Sequence, residues 1–189
     1  MSAFEYVTVL ISVILGLGIT QILTGIANLF QWNDRVSLYW PYVLWVLFVL
    51  IMHIQEWWVT YELKDYHPWR LPIFFFIMLY PVNLFILAKL LFPTATKGKV
   101  INLKEFYFKN YRRIFLVTMV SAVLSVLYNI FILNLNVQSQ AFQLLLILAL
   151  SIMAGKRLEN EWIHKVLSAA LILSFAVSTI IEWNVWLIE

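Results

Sequence analysis

Cysteine does not occur in these 189 residues. That one absence excludes disulfides, thiolate metal sites, iron–sulfur clusters and a cysteine nucleophile. Charge is scarce too: Asp, Glu, Lys and Arg make up 12% of the chain and hydrophobic residues 63%, against about 25% and about 45–50% in a soluble domain. No water-soluble globule hides that much apolar surface. The chain carries no HExxH, no GxSxG and no P-loop. Its Gly16-Leu17-Gly18 pair sits inside an apolar run rather than at a strand-to-helix turn. Of three histidines, His53 falls near one membrane surface and His164 near the other, so bis-histidine haem ligation fails on depth, with only His67 left as a weak second ligand. His53 with two carboxylates lacks the tight spacing of a zinc site. The expectation is therefore no cofactor, no resident metal and no catalytic residue. A basic n-region is also missing ahead of the first apolar run, which is expected to stay in place as a span and not to be cleaved.

What remains is a series of apolar runs near the ~20 residues that cross a bilayer. They predict an all-α, polytopic transmembrane helical bundle of about six spans, at 6–30, 39–59, 71–92, 114–133, 141–154 and 163–187, forming one membrane domain over 1–189. The fifth run is the shortest. It starts earlier, near Ser139, runs nearly upright, or forms half of a re-entrant hairpin with the fourth. Charge placement favours a crossing: eleven of the 13 basic residues fall with the first, third and fifth loops, and only Lys64 and Arg70 with the other side. Positive charge marks the cytoplasmic face, which puts both termini outside. The net charge of +3 is then topological and does not point to nucleic acid. Trp32, Trp40, Trp57, Trp58, Trp69, Trp162, Trp183 and Trp186 lie near the proposed span ends, where indole favours the interface. Pro81, mid-span beside Asn83, predicts a kink whose freed carbonyl is satisfied by a neighbour.

Three spans carry polar lines at helical spacing. The first has Thr8, Ser12, Gly16, Thr20, Thr24 and Asn28 at four-residue intervals, with Gly18, Gln21 and Gly25 beside them. Small residues so placed let helices approach closely; the same line could instead be the polar lining of a pathway. The fourth has Thr118, Ser121, Ser125 and Asn129, and the sixth Ala170, Ser174, Ser178 and Glu182. His53 and Glu56 lie on one face of the second span. Ionisable groups in a span usually face the bundle or a cavity. Glu5, His53, Glu56, Asn129 and Glu182 share the outer depth on four helices, which implies an acidic outer vestibule able to attract a cation or exchange a proton. Residues 102–113 read as an amphipathic segment with a capping-box-like start at Asn102 and Glu105. Its basic side, Lys104, Lys109, Arg112 and Arg113, suits anionic lipids at the cytoplasmic face of the bilayer.

The pairs Glu5-Tyr6 and Trp57-Trp58, the run Gly16-Leu17-Gly18-Ile19-Thr20-Gln21, and Tyr107-Phe108 followed by Arg112-Arg113 resemble a group of small polytopic bacterial membrane proteins with no assigned activity. The resemblance implies a bacterial inner membrane and the same helix count, and transfers no site residue. Three functions stay open: a transporter or channel-type protein for a cation, proton or small solute; a scaffold or sensor subunit in a homo-oligomer or larger membrane complex; and an enzyme acting on lipid or quinone with His53 and Glu56 as acid–base groups. Because the chain has no cysteine, its topology is directly testable. An impermeant thiol reagent on intact cells should label Tyr66→Cys and spare Lys99→Cys and Lys156→Cys; the inverse pattern would turn the topology over.

Overall fold

The computed structural model describes residues 2–31, 35–93 and 100–181. Glu182, Trp183 and Trp186, like Trp32, Lys97 and Lys99, lie outside the described residues. Among the described residues six helical segments are long and apolar enough to cross a membrane, built on α1 (Ala3–Gln31), α2 (Trp40–Val59), α3 (Leu71–Leu90), α4 (Leu103–Phe131), α5 (Ala141–Gly155) and α6 (Glu161–Ile181), with α2 and α5 lengthened by 3-10 turns. The protein is a multi-pass integral membrane protein built as an all-α bundle. Large apolar side chains such as Leu17, Phe75, Leu116, Leu145 and Leu173 point away from the bundle, which is stable only against lipid.

The helix ends follow local chemistry. Ser2 and Glu5 form a reciprocal capping box on α1, at 3.0 and 3.1 Å. Asn102 accepts from the Lys104 and Glu105 amides at the start of α4, at 3.0 and 3.2 Å. Pro41 and Pro72 sit in the first turns of α2 and α3, where a missing N–H costs little. Beyond Val59, α2 tightens into a 3-10 turn, Thr60–Asp65, which carries the chain further than the expected end at 59. Likewise the 3-10 turn Val137–Gln140 precedes α5. At ~1.5 Å and ~2.0 Å of rise per residue the two together reach about 30 Å, enough to cross.

Two-residue strands β1 (Val36–Ser37) and β2 (Ile101–Asn102) pair in parallel, Val36 opposite Ile101 and Ser37 opposite Asn102. They tie the α1–α2 loop to the α3–α4 loop. Arg112 Nε donates to the Ala154 carbonyl at 3.1 Å, and Glu161 binds Lys104 and Lys165 at 2.5 and 2.9 Å. These contacts bring the α5–α6 link to the same end, the basic end of the bundle. Residues 102–113 are therefore the first turns of one continuous α4, in place of a separate helix on the membrane surface. Their apolar side, Leu103, Tyr107, Tyr111 and Ile114, is buried against protein, while Lys104, Lys109, Arg112 and Arg113 remain exposed.

In the middle of the bundle α2 packs against α1, α3, α4 and α6. The expected seam on α1 is not its contact face: Gly16, Thr20 and Thr24 are exposed, and Ser12, Gln21 and Asn28 are half-buried. The buried line is Val7, Ile11, Leu15, Gly18, Ile22 and Gly25. A Cβ at Gly18 would collide with the His53 ring and one at Gly25 with the Phe92 ring, whereas nothing lies near that position of Gly16. The bulky partners on α2 and beyond α3 decide which glycines are needed. α3 runs helical through Pro81, and Asn83 Nδ2 donates to the Val117 carbonyl and Ser121 Oγ on α4, at 3.0 and 2.7 Å.

Substitution at the two neighbouring glycines should therefore diverge. Gly18→Ala is expected to cost about 1–3 kcal/mol through overpacking, and Gly16→Ala to stay within about 0.5 kcal/mol, read as thermal unfolding in detergent. Equal shifts would contradict the close approach of α1 to His53.

Candidate functional site

At the end opposite the basic loops a cavity opens among α2, α4, α5 and α6. α5 packs chiefly on α4 and α6 on α2. Between them the cavity, of about 440 Å³, enters the bundle, walled by α2, α4, α5 and α6 with Tyr80 of α3. Its rim includes the exposed loop residues Leu135 and Ser139, and its deep end reaches Thr118 and Phe48. From Asn129 to Thr118 is eleven residues of α4, roughly 16 Å of helix at ~1.5 Å per residue. The cavity thus extends to about the middle of α4.

Charge on this wall has one sign. Glu56 and Glu62 contribute carboxylates, and among the described residues no Lys or Arg lines it. Neither carboxylate has a hydrogen-bond or ion-pair partner among the described residues. The remaining polar groups are amides and hydroxyls, among them Gln55, Ser125, Gln143 and Ser174. At the rim a relay holds the α4–α5 turn together: Asn129 Nδ2 donates to Gln140 Oε1 at 2.6 Å, Gln140 Nε2 to Ser139 Oγ at 2.7 Å, and Ser139 Oγ to the Asn136 carbonyl at 2.6 Å. Aromatic rings of Trp58, Tyr80, Tyr128, Phe142 and Phe175 interleave with these groups.

Of the residues expected in an outer cluster, Glu56 and Asn129 meet on this wall. His53 does not line it. That ring is fully buried, its Nδ1 lies 2.7 Å from the Val49 carbonyl, and its other edge faces Gly18. A carbonyl only accepts, so Nδ1 carries the hydrogen. Glu5 is taken up in the α1 capping box, and Glu182 lies outside the described residues. The polar lines of α4 and α6 supply Thr118, Ser125, Asn129, Ser174 and Ser178 to the wall, while Ser121 turns to Asn83. Glu62, Gln55, Gln140 and Gln143 were not anticipated. Glu62 lay past the expected end of its span, although its place six residues after Glu56 would have flagged it had the helix been extended.

The described residues of the basic end pack around a second histidine. His164 is fully buried, with Nε2 2.8 Å from the Leu158 carbonyl and Nδ1 2.9 Å from the Tyr107 hydroxyl. The carbonyl fixes the hydrogen on Nε2, so in the neutral ring Nδ1 accepts from Tyr107. Phe108, Tyr111 and Phe115 surround that ring at 4.9, 4.9 and 5.7 Å between centroids. Trp45 stacks on Phe115 at 5.1 Å and meets Phe48 edge-on at 5.9 Å. Because Phe48 also lines the cavity, this aromatic block forms its floor.

No protein family, curated protein or solved structure matches this chain, so its geometry alone carries the functional argument. Among the described residues no group of three or more His, Cys, Asp or Glu is placed to hold a metal ion.

Accessibility of the cavity is directly measurable in a cysteine-free background. Ser125→Cys and Ser174→Cys on its wall should react quickly with a small cationic methanethiosulfonate, while Ser168→Cys, buried beside His164, should not. Equal rates at all three positions would mean that no such cavity forms in the membrane.

Proposed function

We propose that this is a transporter or channel-type membrane protein, or the membrane subunit of one, with the acidic cavity as its site for a cation or small polar solute. One observation carries the reading: two carboxylates without a counter-charge stand on the wall of a cavity that penetrates half the bundle from one end. Ionisable groups are costly inside a bilayer, by ~2.5–3.5 kcal/mol at a helix centre on insertion scales. Their placement on a polar wall, away from both lipid and packed protein, supports a role in handling positive charge. The aromatic floor gives the cavity one closed end, as alternating access or gating requires.

The rival functions have less behind them. An acid–base role for His53 needs an approach to its ring, which lies sealed between α2 and α1. A scaffold draws on the outward-facing line of α1, which satisfies its own hydroxyls: Thr20 donates to the Gly16 carbonyl at 2.8 Å and Thr8 to the Phe4 carbonyl at 3.0 Å. Location in a bacterial inner membrane, with the basic end cytoplasmic and near anionic lipid, is supported by the one-sided placement of the exposed cations Lys109, Arg113, Lys156 and Arg157.

Reconstitution tests the proposal. Vesicles containing the protein should show a cation- or pH-dependent flux that Glu56→Gln reduces to near the protein-free background, with a smaller loss for Glu62→Gln at the rim. The carboxamide keeps the shape and removes the charge. Wild-type and Glu56→Gln vesicles with identical flux and identical pH response would sink the reading.

A further inference from the structure

Resting on the reading of the cavity as a solute site, the geometry points to its ligand class: a lipophilic organic cation, one positive head on an apolar body, entering from the bilayer between α5 and α6.

Size is the first argument. About 440 Å³ lies in the ~300–1,000 Å³ range of sites that enclose small organic molecules, and far exceeds what a dehydrated inorganic ion fills. The carboxylates are also too far apart to chelate one ion. Six residues separate Glu56 from Glu62 along α2 and its 3-10 extension, about 9 Å of rise or more. They instead form a sequence of depth, Glu62 exposed at the mouth and Glu56 half-buried further in.

The neighbours of Glu56 provide the second argument. Trp58, Tyr80, Tyr128 and Phe175 share the wall with it. Aromatic faces attract cations, by ~0.5–1 kcal/mol when exposed and more when desolvated, and cover an apolar body at the same time. A hydrated inorganic cation gains little from such rings. An anion of the same shape would meet two carboxylates with no compensating Lys or Arg on the wall, which is selection by repulsion.

Access is the third. α5 and α6 join at the basic end through a short link and pack chiefly on different partners, α4 and α2, which makes the side between them the route by which a ligand would enter. Phe142 on α5 and Phe175 on α6 both line the cavity. A molecule dissolved in the bilayer meets apolar groups first and charge afterwards.

The test is equilibrium dialysis of radiolabelled tetraphenylphosphonium against the full-length protein in detergent. Tetraphenylborate, of matching shape and opposite charge, is dialysed separately as a second radiolabelled probe. Saturable binding of the cation is expected, with Glu56→Gln weakening it about tenfold or more and Glu62→Gln weakening it less. Sodium chloride at equal concentration should not displace the cation, and tetraphenylborate should show no saturable binding. A second variant, Ser125→Phe with Ser174→Phe, fills the cavity without touching charge and should also abolish binding, which keeps the test decisive if Glu56→Gln folds poorly. Binding indifferent to Glu56→Gln and to the filled cavity overturns the inference, as does saturable binding of tetraphenylborate at equal affinity. If vesicles show Glu56-dependent flux of an inorganic cation while tetraphenylphosphonium does not bind, the cavity remains a solute site and only this ligand class fails. If both are absent, the two proposals fall together.

Discussion

Hydrocarbon leaves a polar group nothing to bond with except the protein itself, and this bundle meets that constraint mostly within single helices. The hydroxyls of Thr20, Thr60, Thr118, Ser168 and Thr179 each donate to the carbonyl four residues back, and His53 bonds its own helix in the same way. Polar residues so tied no longer need a partner helix. They can lie against lipid, as Thr20 does, or inside packed protein, as Thr118 does. Bonds between helices are left to a few amides and hydroxyls, with Asn83 joining α3 to α4 and the Asn129–Gln140 pair closing the α4–α5 turn. Against that background the Glu56 carboxylate stands out, because it has neither a back-bond nor a counter-charge.

The two ends of the molecule are built on different principles. At the basic end three loops are knotted by β1 and β2, by the Lys104–Glu161–Lys165 group and by the Tyr107–His164–Leu158 chain, beneath which aromatic rings fill the interior. At the other end the cavity lies among α2, α4, α5 and α6, with α6 packed chiefly on α2 and α5 on α4. Polar side chains on α4 and α6 line that cavity, as a site for water or a ligand requires.

Part of the cavity wall is legible in the sequence. The serine and threonine lines of the fourth and sixth spans were visible as four-residue spacings, and the structure turns Ser125, Asn129, Ser174 and Ser178 to one cavity. The α1 line looked the same on paper and faces outward. Spacing identifies a face, but the neighbouring helix that would give it a partner comes from packing. His53 and Glu56 show the limit within one helix: three residues apart, they differ by about 60° around the axis. Since α1 covers the His53 side of α2 and the cavity borders the Glu56 side, that angle separates a sealed imidazole from a carboxylate on the cavity wall.

By itself the sequence determined what depends on composition and order along one chain. Six apolar stretches of membrane-crossing length, the caps at Asn102 and the prolines at 41 and 72, and the segregation of cations to alternate loops all follow from single-helix physics, in which each backbone bond is local. Only the tertiary structure decided that residues 102–113 extend α4 into the bundle, that Gly18 and Gly25 rather than Gly16 take the close contacts, and that Glu62 joins Glu56 on a common wall. Those outcomes turn on which side chains from distant helices compete for the same space. That competition is settled by the volumes of His53, Phe92 and the aromatic block at the basic end, which no periodicity in a single helix records.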